Sequence, residues 1–151
     1  MEAVSAVEYV LHVAFAALLT GGVVFVTWVA LPLASAGDVS PGVLESLIDR
    51  LTTLSRASAV VLFLTGGHMA GTRYTVASLT GTPRGHLVLT MLGLWVVLTA
   101  LVEIAASRMR DGLDSEKVRT PARDGGPVLK AASVVALLAL LDAGLLASGV
   151  V

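Results

Sequence analysis

The chain has 151 residues, room for one domain, with 56% apolar and 14% charged residues and a mean hydropathy of +0.88. Soluble domains carry about a quarter charged residues, so the composition reads as an integral membrane protein in a lipid bilayer. A net charge of −1 gives no basis for nucleic-acid binding, and the lack of cysteine excludes disulfides, thiolate metal sites and thiol redox chemistry.

The first apolar run is expected to be a membrane span and not a cleaved leader. Met1 to Ser5 lacks a basic region, carries Glu2 with Glu8 following, and the run continues well past the length of a leader core. Four runs approach the ~20 apolar residues that cross a bilayer: about 6–34, 57–79, 86–106 and 129–150. The second is the weakest, because it holds Thr65, Gly66, Gly67, His68 and Arg73. That weakness predicts a helix facing protein. The fold class expected is therefore all-α, an antiparallel four-helix membrane bundle.

Between the first two spans, Ser40-Pro41 reads as an N-cap followed by proline at the first helical position. Val43, Leu44, Leu47, Ile48, Leu51 and Leu54 then recur at helical spacing. The pattern predicts an amphipathic helix over about 41–55, lying on the membrane surface or extending the second span. Thr80-Gly81-Thr82-Pro83-Arg84-Gly85 reads as a tight turn. Arg108 to Pro127 reads as a polar loop, with five basic residues and the acids Asp111, Asp114, Glu116 and Asp124. Basic residues concentrate on the side of the first and third loops, so the positive-inside rule puts both termini outside the cell membrane.

Leu18-Leu19-Thr20-Gly21-Gly22 and Leu64-Thr65-Gly66-Gly67 repeat a small-residue pattern, and Gly67 and Gly71 form a G-x-x-x-G. Such residues let helices approach closely in lipid, so the first two spans are expected to cross there. On a helical rise of 1.5 Å per residue, His12 lies ~10 Å, His68 ~15 Å and Asp142 ~13 Å below the outer ends of their spans, with His86 at the mouth of the third. Glu8 and Tyr9 precede His12 by about one turn. Glu103, near the inner end, reads as snorkelling toward Arg108 or water. Trp95 reads as packing and Trp28 as an interfacial anchor.

An ionisable residue at membrane depth is a functional-site hypothesis by default. Four readings of this depth cluster compete. The first is a haem b with His12 and His68 as axial metal ligands, Arg73 and Arg84 answering the propionates, and His86 beside it. The second is a copper site, and the third a proton or solute path through Glu8, His12 and Asp142. The last is a buried polar network that only specifies packing. A redox partner or a second copy of the chain would be the expected associate.

Three stretches carry a resemblance. Leu11-His12-Val13-Ala14-Phe15 opens the first span, the second enters through Arg56 and carries Thr65-Gly66, and the third opens Pro83-Arg84-Gly85-His86-Leu87. Together they resemble the copper-resistance D (CopD) and HemJ-type protoporphyrinogen oxidase group, over the first three spans. The resemblance implies a four-helix membrane core. From the HemJ type it implies haem b at His12 and a membrane oxidoreductase; from the copper-resistance type it implies copper movement or tolerance. The HemJ-type third helix opens with a lysine that is absent from Gly85-His86-Leu87.

Overall fold

Pro32 explains the first departure from a plain helix. In the computed structural model, which describes residues 2–113 and 117–149, helix α1 (Glu2–Phe25) passes into a π-helical turn (Val26–Ala30) and then α2 (Leu31–Ala36). Proline has no N–H to give to the carbonyl four residues back. The wider turn shifts the bonding, and the Leu31 N–H reaches the Val26 carbonyl. Gly37, at φ 87°, ends the segment in the left-handed region.

Helix α3 (Pro41–Arg73) starts where Ser40 and Pro41 predict, with the Ser40 hydroxyl accepting from the Val43 N–H. It then runs for 33 residues without a break. The amphipathic segment expected over 41–55 is therefore the first half of this helix and not a separate element. Its other end differs too. The chain leaves α3 at Tyr74, and a capping box between Thr75 and Ser78 opens a short helix α4 (Val76–Gly81). The expected second span thus stops at Arg73, and Thr80-Gly81 closes a helix instead of making a free turn.

Helix α5 (Pro83–Leu113) and helix α6 (Arg119–Ser148) are both longer than the apolar runs 86–106 and 129–150 suggest. Pro127 lies inside α6, so most of the polar loop expected over 108–127 is helical. Polar residues at a helix end leave the hydropathy signal while still making backbone hydrogen bonds, which is why hydropathy alone makes the loop longer than it is. Asp114 and Glu116, assigned to that loop, lie outside the described residues, as do Met1 and Val150.

Helix α1 packs on α3 and α6, α3 on α5, and α5 on α6, and this last pair is in the most extensive contact. Small residues make that contact possible. Ala105 and Ala106 on α5 and Ala122, Gly125, Ala132 and Ala136 on α6 are all buried, and a side chain at Gly125 would run into Met109. In lipid, where no hydrophobic force separates a helix from its solvent, such close approach is what holds helices together. The core centres on the end where α1 finishes and α6 begins, around Leu44, Ile48, Met109, Leu113 and Leu129. Polar bonds tie the same region: Thr27 Oγ1 reaches the Leu129 carbonyl (3.2 Å) and Trp28 Nε1 donates to Ser133 Oγ (3.2 Å).

Among the described residues three segments, Ala6–Ala36, Pro83–Leu113 and Arg119–Ser148, are long and apolar enough to cross a membrane. Their outer surfaces expose Leu18, Val96 and Leu141, as lipid-facing helices do. Helix α3 matches them in length but is more polar.

Candidate functional site between α1 and α3

Two side-chain pairs bridge α1 and α3 near the end that carries the N-terminus. His12 Nδ1 lies 2.8 Å from Thr65 Oγ1. About a turn further out on each helix, His68 Nδ1 lies 3.0 Å from the Glu8 carboxylate. The helices run antiparallel, so Glu8 precedes His12 as His68 follows Thr65.

The proton positions follow from the partners. Thr65 Oγ1 gives its only hydrogen to the Val61 carbonyl at 2.7 Å, so it can only accept from His12. His12 therefore carries its hydrogen on Nδ1, and the lone pair sits on Nε2. A carboxylate is likewise an acceptor, which puts a hydrogen on His68 Nδ1. Both rings are thus oriented through Nδ1, and in the neutral form each has its basic nitrogen at Nε2. Metal-binding histidines are commonly oriented in this way, by an N–H given to a carboxylate or other oxygen.

Glycine shapes the seam. A Cβ on Gly66 would stand 3.0 Å from His12 Cε1, and one on Gly22 3.1 Å from Leu54 Cδ2. The two glycine pairs therefore do not cross each other as the repeat suggests; each admits a side chain of the opposite helix. The space that Gly66 leaves open is filled by the imidazole of His12.

The remaining residues expected at a haem are engaged elsewhere. Arg84 donates to the Leu146 carbonyl (3.0 Å) at the end of α6, and His86 Nε2 bonds the Thr80 carbonyl (2.8 Å) in α4. Arg73 is exposed on the last turn of α3. His68 is nearer the helix end than expected, five residues or about 7.5 Å from Arg73, because α3 stops early. These positions do not fit a haem b held by His12 and His68 and answered by Arg73, Arg84 and His86. Among the described residues no group of three or more His, Asp or Glu side chains is placed to hold one metal ion.

Three polar features escaped the sequence reading. Glu103 meets Arg56 through two bonds, Nε to Oε1 at 2.7 Å and Nη2 to Oε2 at 2.9 Å, instead of turning to Arg108. Arg110 lies 3.6 Å from Asp49 and 3.4 Å from Thr52 Oγ1. The buried face of α3 also holds a file of hydroxyls, Thr52, Ser55, Ser58 and Thr65. Trp95 stacks on Phe63 at 5.8 Å, in keeping with a packing role. Asp142 is buried on α6, and its Oδ2 has no hydrogen-bond partner.

Fold and seam together define an all-helical, multi-pass membrane protein. The model of the copper resistance protein D family matches residues 45–148, from the first turns of α3 to the end of α6. The chain belongs to the copper resistance protein D family. The match covers His68, Arg73, Arg84 and His86 but begins after α1, so Glu8 stands outside it, as does His12 with the first of the three stretches that carry the resemblance. The HemJ-type half of that resemblance receives no support. No curated protein and no solved structure matches the chain.

Proposed function

We propose that the chain is a four-span membrane protein, with α3 as the fourth span, that handles copper ions as cargo at the α1–α3 seam. The observation that carries this reading is the orientation of two histidines through Nδ1, which leaves Nε2 as the ligating atom on each, in a chain of the copper resistance protein D family. Imidazole nitrogen suits copper, whereas copper(I) also favours soft sulfur. The chain has no cysteine and four methionines, so the nitrogen and carboxylate donors favour copper(II). With no three-residue cluster among the described residues to trap the ion, the seam suits transient passage better than storage.

The polarity of α3 is consistent with a span that faces protein on one side. Intramembrane ionisable residues stay in protein or aqueous cavities; Glu8 and His12 lie at the α1–α3 seam, and the more exposed His68 is bonded to Glu8 at its outer end. Arg50, Arg56, Arg108, Arg110, Lys117, Arg119 and Arg123 collect at one end of the helices, which orients that end to the cytoplasm and both termini outside. The seam then opens on the outer face.

The test is copper accumulation by cells carrying the wild-type chain, His12→Ala, His68→Ala or Glu8→Gln. The reading expects a change in cell-associated copper with the wild type that both histidine variants abolish at equal protein level. Unchanged copper with the wild type, or full effect in both histidine variants, would sink it.

A further inference from the structure

From Thr52 onward the buried side of α3 turns largely polar, with Leu62 the partly buried apolar side chain between Ser58 and Thr65. Leu44, Ile48 and Leu51 give way to Thr52, Ser55, Ser58 and Thr65, all between 0% and 8% exposed. Neighbours cover this face from both flanks. Helix α1 meets it at Gly22 and His12, and α5 meets it through the Arg110–Thr52 bond.

Two members of the file are anomalous. Ser55 Oγ and Ser58 Oγ are fully buried and have no hydrogen-bond partner. An unsatisfied buried hydroxyl is costly, and an ordered water or ion is one arrangement that satisfies it. Thr52 and Thr65 instead donate to carbonyls of their own helix and keep lone pairs for Arg110 and His12. The file thus has ionisable groups at each end. Glu8, His12 and His68 stand at one and Asp49 and Arg110 at the other, with the Arg56–Glu103 pair on α3 and α5 at the level of the serines.

We propose that this face of α3 is a hydrated proton path across the bilayer, entered at the Glu8–His68 pair and left beside Asp49. The inference rests on α3 being a membrane span. From Asp49 to His68 the helix rises about 28 Å, close to the ~30 Å of a hydrocarbon core. Water and the unpaired Ser55 and Ser58 hydroxyls both donate and accept, so a proton entering one side of such an oxygen releases another on the far side, while Thr52 and Thr65, whose hydrogens go to carbonyls, act as acceptors. Hydroxyls are poor copper ligands, so the file suits protons and not the metal. The longest gap, Ser58 to Thr65, is about 10 Å of helix and needs bridging water.

The full chain reconstituted in vesicles with an internal pH dye tests this, with a valinomycin-set potassium potential, inside negative, driving protons inward. Wild-type vesicles should acidify faster than protein-free ones, with or without copper(II). The double variant Ser55→Ala/Ser58→Ala should slow the excess rate on the order of tenfold, the effect of ~1.4 kcal/mol on a barrier. A wild-type rate equal to that of empty vesicles, or an undiminished rate in the variant, overturns the proposal.

Because the chain has no cysteine, Ser55→Cys and Ser58→Cys give a second readout. A small water-soluble thiol reagent should modify both, and should leave Ala105→Cys, at an equally buried position on α5, inert. A dry interface, in which each serine bonds the carbonyl four residues back, leaves all three inert, and that result also overturns the path. Gly42→Cys and Arg73→Cys, labelled from opposite sides of the vesicle, report separately whether α3 spans. The path can therefore fail while the four-span reading stands.

Discussion

Arg56 and Glu103 face each other across α3 and α5 with two parallel hydrogen bonds of 2.7 and 2.9 Å. The fork of a guanidinium matches a carboxylate in this geometry, which sets an angle as well as a distance. Arg56 is well exposed and Glu103 about one-third exposed. Its role is to fix how α3 sits against α5. Arg56→Lys, which cannot make the fork, should lower thermal stability in detergent slightly. Arg56→Glu with Glu103→Arg should recover part of what either single reversal loses. Additive losses in that cycle would show the pair does not couple the helices.

Thr65 sets the tautomer of His12, and the effect is separable from packing. Thr65→Val keeps the shape but removes the acceptor of the His12 Nδ1–H. The loss in stability should be about 1 kcal/mol, the net value of one hydrogen bond. The more specific outcome is in the nitrogen NMR spectrum of labelled histidine. In wild-type protein the neutral His12 ring should carry its hydrogen on Nδ1, and in Thr65→Val that preference should relax. An Nε2–H tautomer in the wild type would contradict the geometry.

Gly125 and Gly85 are required by close approach and not by backbone torsion. A Cβ at Gly125 would meet Met109 Cγ and Sδ, with the Ala105 carbonyl 3.3 Å away. Methionine is flexible, so Gly125→Ala should cost about 1–3 kcal/mol, the range for overpacking. At Gly85 the obstacles are the Ser78 and Leu79 carbonyls of α4, which cannot rotate aside. Gly85→Ala should therefore displace α4 as a unit, read as faster proteolysis between Arg73 and Pro83. Equal protease resistance in wild type and Gly85→Ala would refute that placement.

Trp28 ties the π-helical turn to α6 through Ser133. Trp28→Phe keeps an aromatic ring and removes the donor, at an expected cost of about 0.5–1.5 kcal/mol. Ser133→Ala should cost a similar amount, and the double variant little more than either alone. Differential scanning fluorimetry of the three variants checks this, and fully additive losses would mean the two residues do not act as a pair.

Much of the helical frame was legible in the chain. Long apolar runs, Ser40-Pro41 and the small-residue repeats mark membrane helices, a start point and close packing, because each depends on local chemistry. Helix ends were less legible. α5 and α6 continue into polar sequence, and α3 stops at Tyr74 inside what reads as a span, since backbone hydrogen bonding does not require apolar side chains. The candidate residues His12 and His68 were also visible, as ionisable groups inside apolar runs.

Their partners were not visible. Thr65 stands 53 positions from His12 and Glu8 60 from His68, and only the antiparallel register of α1 on α3 brings them together. The packing of α5 against α6, α4 and α3 sends Arg84 to Leu146, His86 to Thr80 and Glu103 to Arg56, away from the shared site that depth alone suggested. Depth is one coordinate along the helix axis. The rotation of each helix, which decides which side chains meet, comes from packing at glycines such as Gly22, Gly66 and Gly125. By itself the sequence determined that the chain is a bundle of membrane helices with ionisable residues inside. Only the tertiary structure decided which of them share a seam.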